Sequence, residues 1–234
     1  MSGLDYRSSA LTIDPHSGLV QPGRFVASPN FDERPEHSSQ ASSDLGYPGT
    51  EGMGLETMGP ESVGPETEGP EHMGIDVLVI HAISLPPNCY GGTFIEDLFT
   101  NRLDPKAHSY FADIAHLRVS AHFLIHRSGR LTQFVPTGKR AWHAGVSNFR
   151  GREQVNDFSI GIELEGCDDD PFEDAQYHTL VDLTQCLVMA YPSITRDCIV
   201  GHSDIAPGRK TDPGPHFDWD RYLNRISFTG TKEP

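Results

Sequence analysis

Between Glu36 and Gly74 the chain runs in a five-residue rhythm. Glycine returns at Gly49, Gly54, Gly59, Gly64, Gly69 and Gly74, in units such as GPESV, GPETE and GPEHM. A collagen triple helix needs glycine every third residue, so the period of five excludes it. With few apolar side chains and many carboxylates, such a tract cannot offset its own ordering entropy. Residues 37–74 therefore read as a disordered acidic insertion, and His72 inside it as a solvated repeat residue. Whatever folds must be built from the flanks. The roughly 150 downstream residues are ample to bury a core. The expected organisation is a flexible N-terminus over 1–21, a segment over 22–36 docked on the main domain, the insertion, a domain over 75–226 and a tail over 227–234.

Charge narrows the partners. Residues 1–74 hold 3 arginines against 12 Asp and Glu, net −9, and residues 75–234 hold 15 Lys and Arg against 21, net −6, which together give −15. So acidic a chain is poorly suited to nucleic acid or to an anionic membrane surface. No cationic segment leads into an apolar one at the N-terminus, and no stretch approaches the ~20 apolar residues of a span. The expectation is a cytoplasmic monomer. Cys89, Cys167, Cys186 and Cys198 form no CxxC pair, so they are read as free thiols, with Cys186 and Cys198 in the core.

Two apolar runs end in histidine. Asp76-Val-Leu-Val-Ile-His81 has the unbroken apolar character of a strand buried on both faces. Cys198-Ile-Val-Gly201 is a shorter run that leads into His202 where the strand gives way to a loop. The loop, GHSDIAPGRKTDPGP, adds Lys210 and Asp212. Alone it would pass as a turn-rich surface connection. Beside His81, however, His202 and Asp212 make a ligand set of two imidazoles and a carboxylate, the pattern of a catalytic rather than a structural zinc site. Lys210 and Asp212 lie two apart in an extended stretch, so they project to one side.

A hairpin is expected over Val119–Pro136, turning at Ser128-Gly129. His122 and His126 lie four apart on it, about 13 Å along a strand, too far to share an ion. Asn156–Gly166 alternates cleanly, with Ile160, Ile162 and Leu164 on one face and Gly161, Glu163 and Glu165 on the other. Carboxylates on an inner strand are costly unless paired or functional. At least one of the two glutamates should have a task.

Helices are expected from a Thr93–Glu96 capping box through about Arg102, over Glu173–Tyr191, and from Asp218 to Ile226. Tyr110 and His108 lie on a loop that could reach a site. Trp142 and His143 suit a carbohydrate or peptide platform, or a half-buried core tryptophan.

The blocks VLVIHAISLPP, IAHLRVSAHFLIHRSG, RAWHAGVS, NDFSIGIELEG and GHSDIAPGRKTDPGPHFDW resemble, in this order, the cytosolic 1,6-anhydro-N-acetylmuramyl-L-alanine amidases, the AmpD group. That group lies within the N-acetylmuramoyl-L-alanine amidase and peptidoglycan-recognition-protein superfamily. SPNFDERP resembles the N-terminal segment of the same family. The resemblance implies an α+β fold, a central mixed β-sheet flanked by α-helices. It implies Zn2+ held by His81, His202 and Asp212, with Glu163 and Lys210 catalytic, and it selects Glu163 over Glu165. The implied substrate is an anhydromuropeptide, cut between the lactyl group of N-acetylmuramic acid and L-alanine.

Arg118, Trp142, His143 and Tyr110 are the candidates for binding it, and Arg118, Arg140, Arg152 and Lys210 the cations that would steer an anionic muropeptide. Three departures stand out: Ala82 replaces an asparagine, Gln154 stands where arginine is common, and residues 37–73 are inserted. Alternatives are a recognition module that binds muropeptides without cutting them, and an amidase acting on intact peptidoglycan.

Overall fold

The computed structural model describes residues 11–35 and 74–228. Most of the expected insertion, 37–73, lies outside the described residues. A six-stranded mixed sheet organises the rest. Its strands are β1 (Arg24–Phe25), β2 (Val77–Ile83), β3 (Phe123–Ile125), β4 (Leu131–Gln133), β5 (Ser159–Glu165) and β6 (Ile199–Gly201), in the spatial order β6-β2-β5-β3-β4-β1. Every pairing is parallel except the β3–β4 hairpin. The α+β arrangement expected from the sequence is the one found.

Val77, Leu78, Val79 and Ile80 have no exposed surface, because both faces of β2 are covered. On one face Leu78, Ile80, Ile160, Ile162 and Leu164 pack under the long helix α2 (Asp174–Ala190) and the C-terminal residues Tyr222 and Ile226. α2 ends before Pro192, whose ring disfavours helix in the residue ahead of it. Among the described residues the opposite face carries no long helix. Short elements cover it in two separate clusters, one around Leu98, Phe111, Leu124 and Phe134, the other around Val77, Val79, Phe158 and Ile205. Between them the sheet presents polar side chains.

At Gly129 the hairpin turn has a φ of +81°, and a Cβ there would meet the Ala175 carbonyl oxygen at 2.8 Å. Helix α1 (Phe94–Phe99) is shorter than expected and has no capping box: Thr93 Oγ1 donates to Asp97, and Glu96 is drawn outward to Arg24. Opposite charge on the N-terminal segment outcompetes the local cap.

Of the terminus expected over 1–21, residues 11–21 are described and hold to the domain, and residues 1–10 lie outside the described residues. Thr12–Ile13 pairs with Val20–Gln21, and Val20 is buried with its N–H on Gln133 Oε1. Further along, Phe31–Asp32 pairs with Arg140–Ala141. Arg34 is half-buried, donating to the carbonyls of Thr137, Asn156, Asp157 and Ser159. Ser227 and Phe228 also hold to the domain, through Gln185 and the main core. Apolar anchors and carbonyl-bound donors at intervals tie these ends down.

Candidate active site

Register places the first two functional side chains. In the parallel pairing of β5 with β2, Glu163 stands opposite His81 and Glu165 opposite Ile83. Gly201 of β6 pairs with Ile80, so His202 follows immediately beside His81. β2 continues two residues beyond His81. His202 opens a short helix, α3 (His202–Ile205), rather than a loop. Its first turn is tied back by Asp204, which accepts from Gly201 N–H, and by Ser203 N–H on the Asp212 carbonyl. The second bond brings Asp212 to the two histidines.

Three atoms then form a compact triangle. His81 Nδ1 lies 3.0 Å from His202 Nδ1, and Asp212 Oδ2 lies 3.0 Å from His202 Nδ1 and 3.3 Å from His81 Nδ1. Tetrahedral zinc bonds of about 2.0–2.1 Å put neighbouring donor atoms about 3.3 Å apart. Two imidazoles and a carboxylate at this spacing fit a divalent ion. Among the described residues this is the one group of three His, Cys, Asp or Glu side chains close enough to hold a metal.

Burial pushes the His81 imidazole down to about 4, with the Asp212 carboxylate opposing. Burial alone would raise the Asp212 carboxyl, but hydrogen bonds with His202 and His81 hold it well below the usual carboxylate range.

Glu163 is buried, and its Oε2 has no hydrogen-bond partner among the described residues. Burial raises its carboxyl well above the ordinary value, the Asp212 charge raises it further and Lys210 opposes. Glu163, Lys210, Asp212 and His202 line one cleft of about 550 Å³. Glu165, by contrast, is fully engaged. Its oxygens accept from the Gly91 and Arg127 amides at 2.5 and 2.9 Å.

The substrate-binding candidates separate. Tyr110 and Trp142 line the cleft, Trp142 held by a 3.1 Å bond from Nε1 to Asp32. His143 also lines it, but both ring nitrogens are taken, by His81 at 2.9 Å and Ser159 at 3.2 Å. Arg118 is not among the lining residues, although Leu117 and Val119 are. Its guanidinium lies against Asn101 and the carbonyls of His116 and Leu117. Arg140 is neutralised by Asp32 and Asp157, and Arg152 by Asp76, so neither is a free steering charge.

Arg209, which the sequence reading passed over, is the second cation of the cleft wall, held to the carbonyls of Ala144 and Val146. Its position next to Lys210 was the available signal. Ala82 lines the cleft, whereas Gln154 lies in a separate groove that shares only Arg209 with it. His122 and His126 are outside the triangle. His122 Nδ1 accepts from Gly161 N–H, its Nε2 contacts the Lys139 carbonyl, and burial lowers it to about 3.

A mixed sheet that gathers two histidines and an aspartate at the lip of a cleft, with a buried unpaired carboxylate on the neighbouring strand, is built for hydrolysis. The chain belongs to the N-acetylmuramoyl-L-alanine amidase family, whose profile matches residues 71–215. It is 59% identical over 213 residues to the 1,6-anhydro-N-acetylmuramyl-L-alanine amidase AmpD of Haemophilus influenzae, covering 91% of this chain and 97% of that one. The AmpD of Escherichia coli is 58% identical over 151 residues, 64% of this chain and 82% of its own.

Among solved structures, a selenomethionine derivative of AmpD superposes with a TM-score of 0.73 at 45% identity, over 92% of this chain and 99% of that one. AmpDh3 of Pseudomonas aeruginosa, solved with an anhydromuramic pentapeptide, gives 0.51 at 29% identity, over 73% and 66%.

Proposed function

We propose that this amidase is zinc-dependent and hydrolyses the amide between 1,6-anhydro-N-acetylmuramic acid and L-alanine in muropeptides, as a cytoplasmic monomer in cell-wall recycling. The observation that carries the reading is the buried Glu163 carboxylate, whose Oε2 has no hydrogen-bond partner among the described residues, on the strand beside the His81–His202–Asp212 triangle. The relatives named for the same bond support the substrate.

In this reading His81, His202 and Asp212 hold the ion, which when bound supplies Lewis acidity that activates water and polarises a carbonyl. Glu163 accepts a proton from the attacking water and returns it to the leaving amine nitrogen. A carboxyl raised well above the ordinary carboxylate range suits both halves of that transfer. Lys210, on the same cleft wall, donates to the oxygen that becomes negative as the amide carbon turns tetrahedral. Losing one such donor costs about 3 kcal/mol. Trp142 and Tyr110 offer aromatic surface to the sugar or peptide, and Arg209 with Lys210 the positive charge for its carboxylates.

The test is hydrolysis of anhydromuramyl-tripeptide by the purified chain, before and after chelation and zinc restoration, with Glu163→Ala alongside. Zinc-dependent release of free peptide, lost in the variant, is the expected result. Tight binding without release would sink it in favour of a recognition protein.

A further inference from the structure

His81 and His202 both turn Nδ1 toward Asp212, which leaves each Nε2 to be held by something else. His202 Nε2 lies 3.2 Å from the Ala144 carbonyl, an ordinary acceptor. Among the described residues His81 Nε2 meets no carbonyl or carboxylate; its partner is His143 Nδ1 at 2.9 Å. Two imidazoles facing one another leave the proton's position open, and the far side of the chain closes it.

His143 Nε2 is 3.2 Å from Ser159 Oγ, and Ser159 Oγ is 2.6 Å from the Val155 carbonyl. A carbonyl only accepts, so the Ser159 hydroxyl commits its single proton there. Ser159 Oγ must then accept from His143 Nε2–H. Neutral His143 is left with a lone pair on Nδ1, which must accept from His81 Nε2–H. His81 Nδ1 therefore carries its lone pair into the triangle.

We propose that Ser159 and His143 are positioning residues that fix the tautomer of His81, so that its Nδ1 is ready to bind the metal. This rests on the metal reading given under Proposed function. Two further features hold the relay in place. A Cβ at Gly161 would come within 2.6 Å of the His143 ring, so β5 omits a side chain where that ring lies against it. Asn156 Oδ1 accepts from the backbone N–H groups of both His143 and Ala144, fixing the loop that supplies one acceptor for each ligand histidine.

Metal-bound histidines ordinarily donate their second nitrogen to a carboxylate, a carbonyl or water. A neutral imidazole orients His81 without adding a third negative charge beside Asp212 and Glu163.

The experiment measures zinc affinity of the full chain by competition with a chromophoric chelator, for wild type, His143→Ala and Ser159→Ala. Nitrogen-15 spectra of the histidines are recorded on the same proteins without metal. Expected are a 10–100-fold loss of affinity for His143→Ala and a smaller one, about three- to tenfold, for Ser159→Ala. The spectra should show His81 protonated at Nε2 in wild type and mixed in Ser159→Ala.

Ser159→Ala removes one oxygen and serves as the test if His143→Ala does not fold. Affinities within about twofold of wild type in the folded variants, or a metal-free wild type with His81 protonated at Nδ1, would overturn the proposal. A wild-type chain that takes up no zinc would instead sink the metal reading, and the spectra would still decide the relay.

Discussion

Glu163 and Glu165 leave one strand on one face, two residues apart, and both are buried at 9% and 3% exposure. Around Glu165 the hydrogen bonds are complete: the amides of Gly91 and Arg127 donate to its two oxygens, and His126 stands 3.8 Å away. Around Glu163 they are not, with one oxygen unpartnered among the described residues and a cleft in front of it. An unsatisfied buried polar group is costly unless something else engages it. The contrast separates a carboxylate that holds a loop in place from one left ready for chemistry. Glu165 does its work through Gly91 and Arg127, on loops at the far end of the strand from Ser159.

Substitutions can break or sharpen that contrast. The largest effect is expected from Glu163→Ala: turnover of anhydromuramyl-tripeptide should fall about 10²–10⁴-fold, as for loss of a general base, with no fall in Tm. Parallel rate and melting measurements check it, and a collapse of the melt would make Glu163 structural after all. Next comes Lys210→Ala, with a kcat loss of about 10²–10³ and an unchanged melt; a change confined to KM would assign Lys210 to binding alone.

Glu165→Ala should reverse the pattern. Stranding two amides costs about 1–3 kcal/mol, which lowers Tm by roughly 3–10 °C in a domain of this size, while turnover of the folded enzyme changes much less than in Glu163→Ala. Calorimetry beside kinetics would expose the opposite result.

The smallest effect is a pH dependence. Because the Glu163 carboxyl is raised in the folded state, its contribution to stability is fully present below the unfolded carboxylate value and is lost as pH rises through the folded one. Glu163→Gln should therefore raise the Tm of the metal-free protein more at pH 8 than at pH 4. An equal gain at both would show that the carboxylate is not strained by burial.

Much of this was legible in the chain. The unbroken run before His81, the alternation through Glu163 and the hairpin around Gly129 follow from local period and turn chemistry, which need no knowledge of neighbours. The long helix and its stop before Pro192 are equally local. Residue types set the available chemistry: two histidines after apolar runs, an aspartate and lysine two apart, and paired glutamates on an inner strand.

Tertiary structure decided which of those groups are satisfied. Only strand register put His81 opposite Glu163, and only loop packing gave Glu165 its donors. Long-range partners also took Glu96 from its expected cap to Arg24, turned Arg118 away from the cleft wall, neutralised Arg140 and Arg152, and brought Arg209 to that wall. Likewise, nothing local ties His143 to His81, 62 positions away. Hydrogen-bond satisfaction is a property of pairs that folding brings together, whereas periodicity and side-chain chemistry belong to the chain itself.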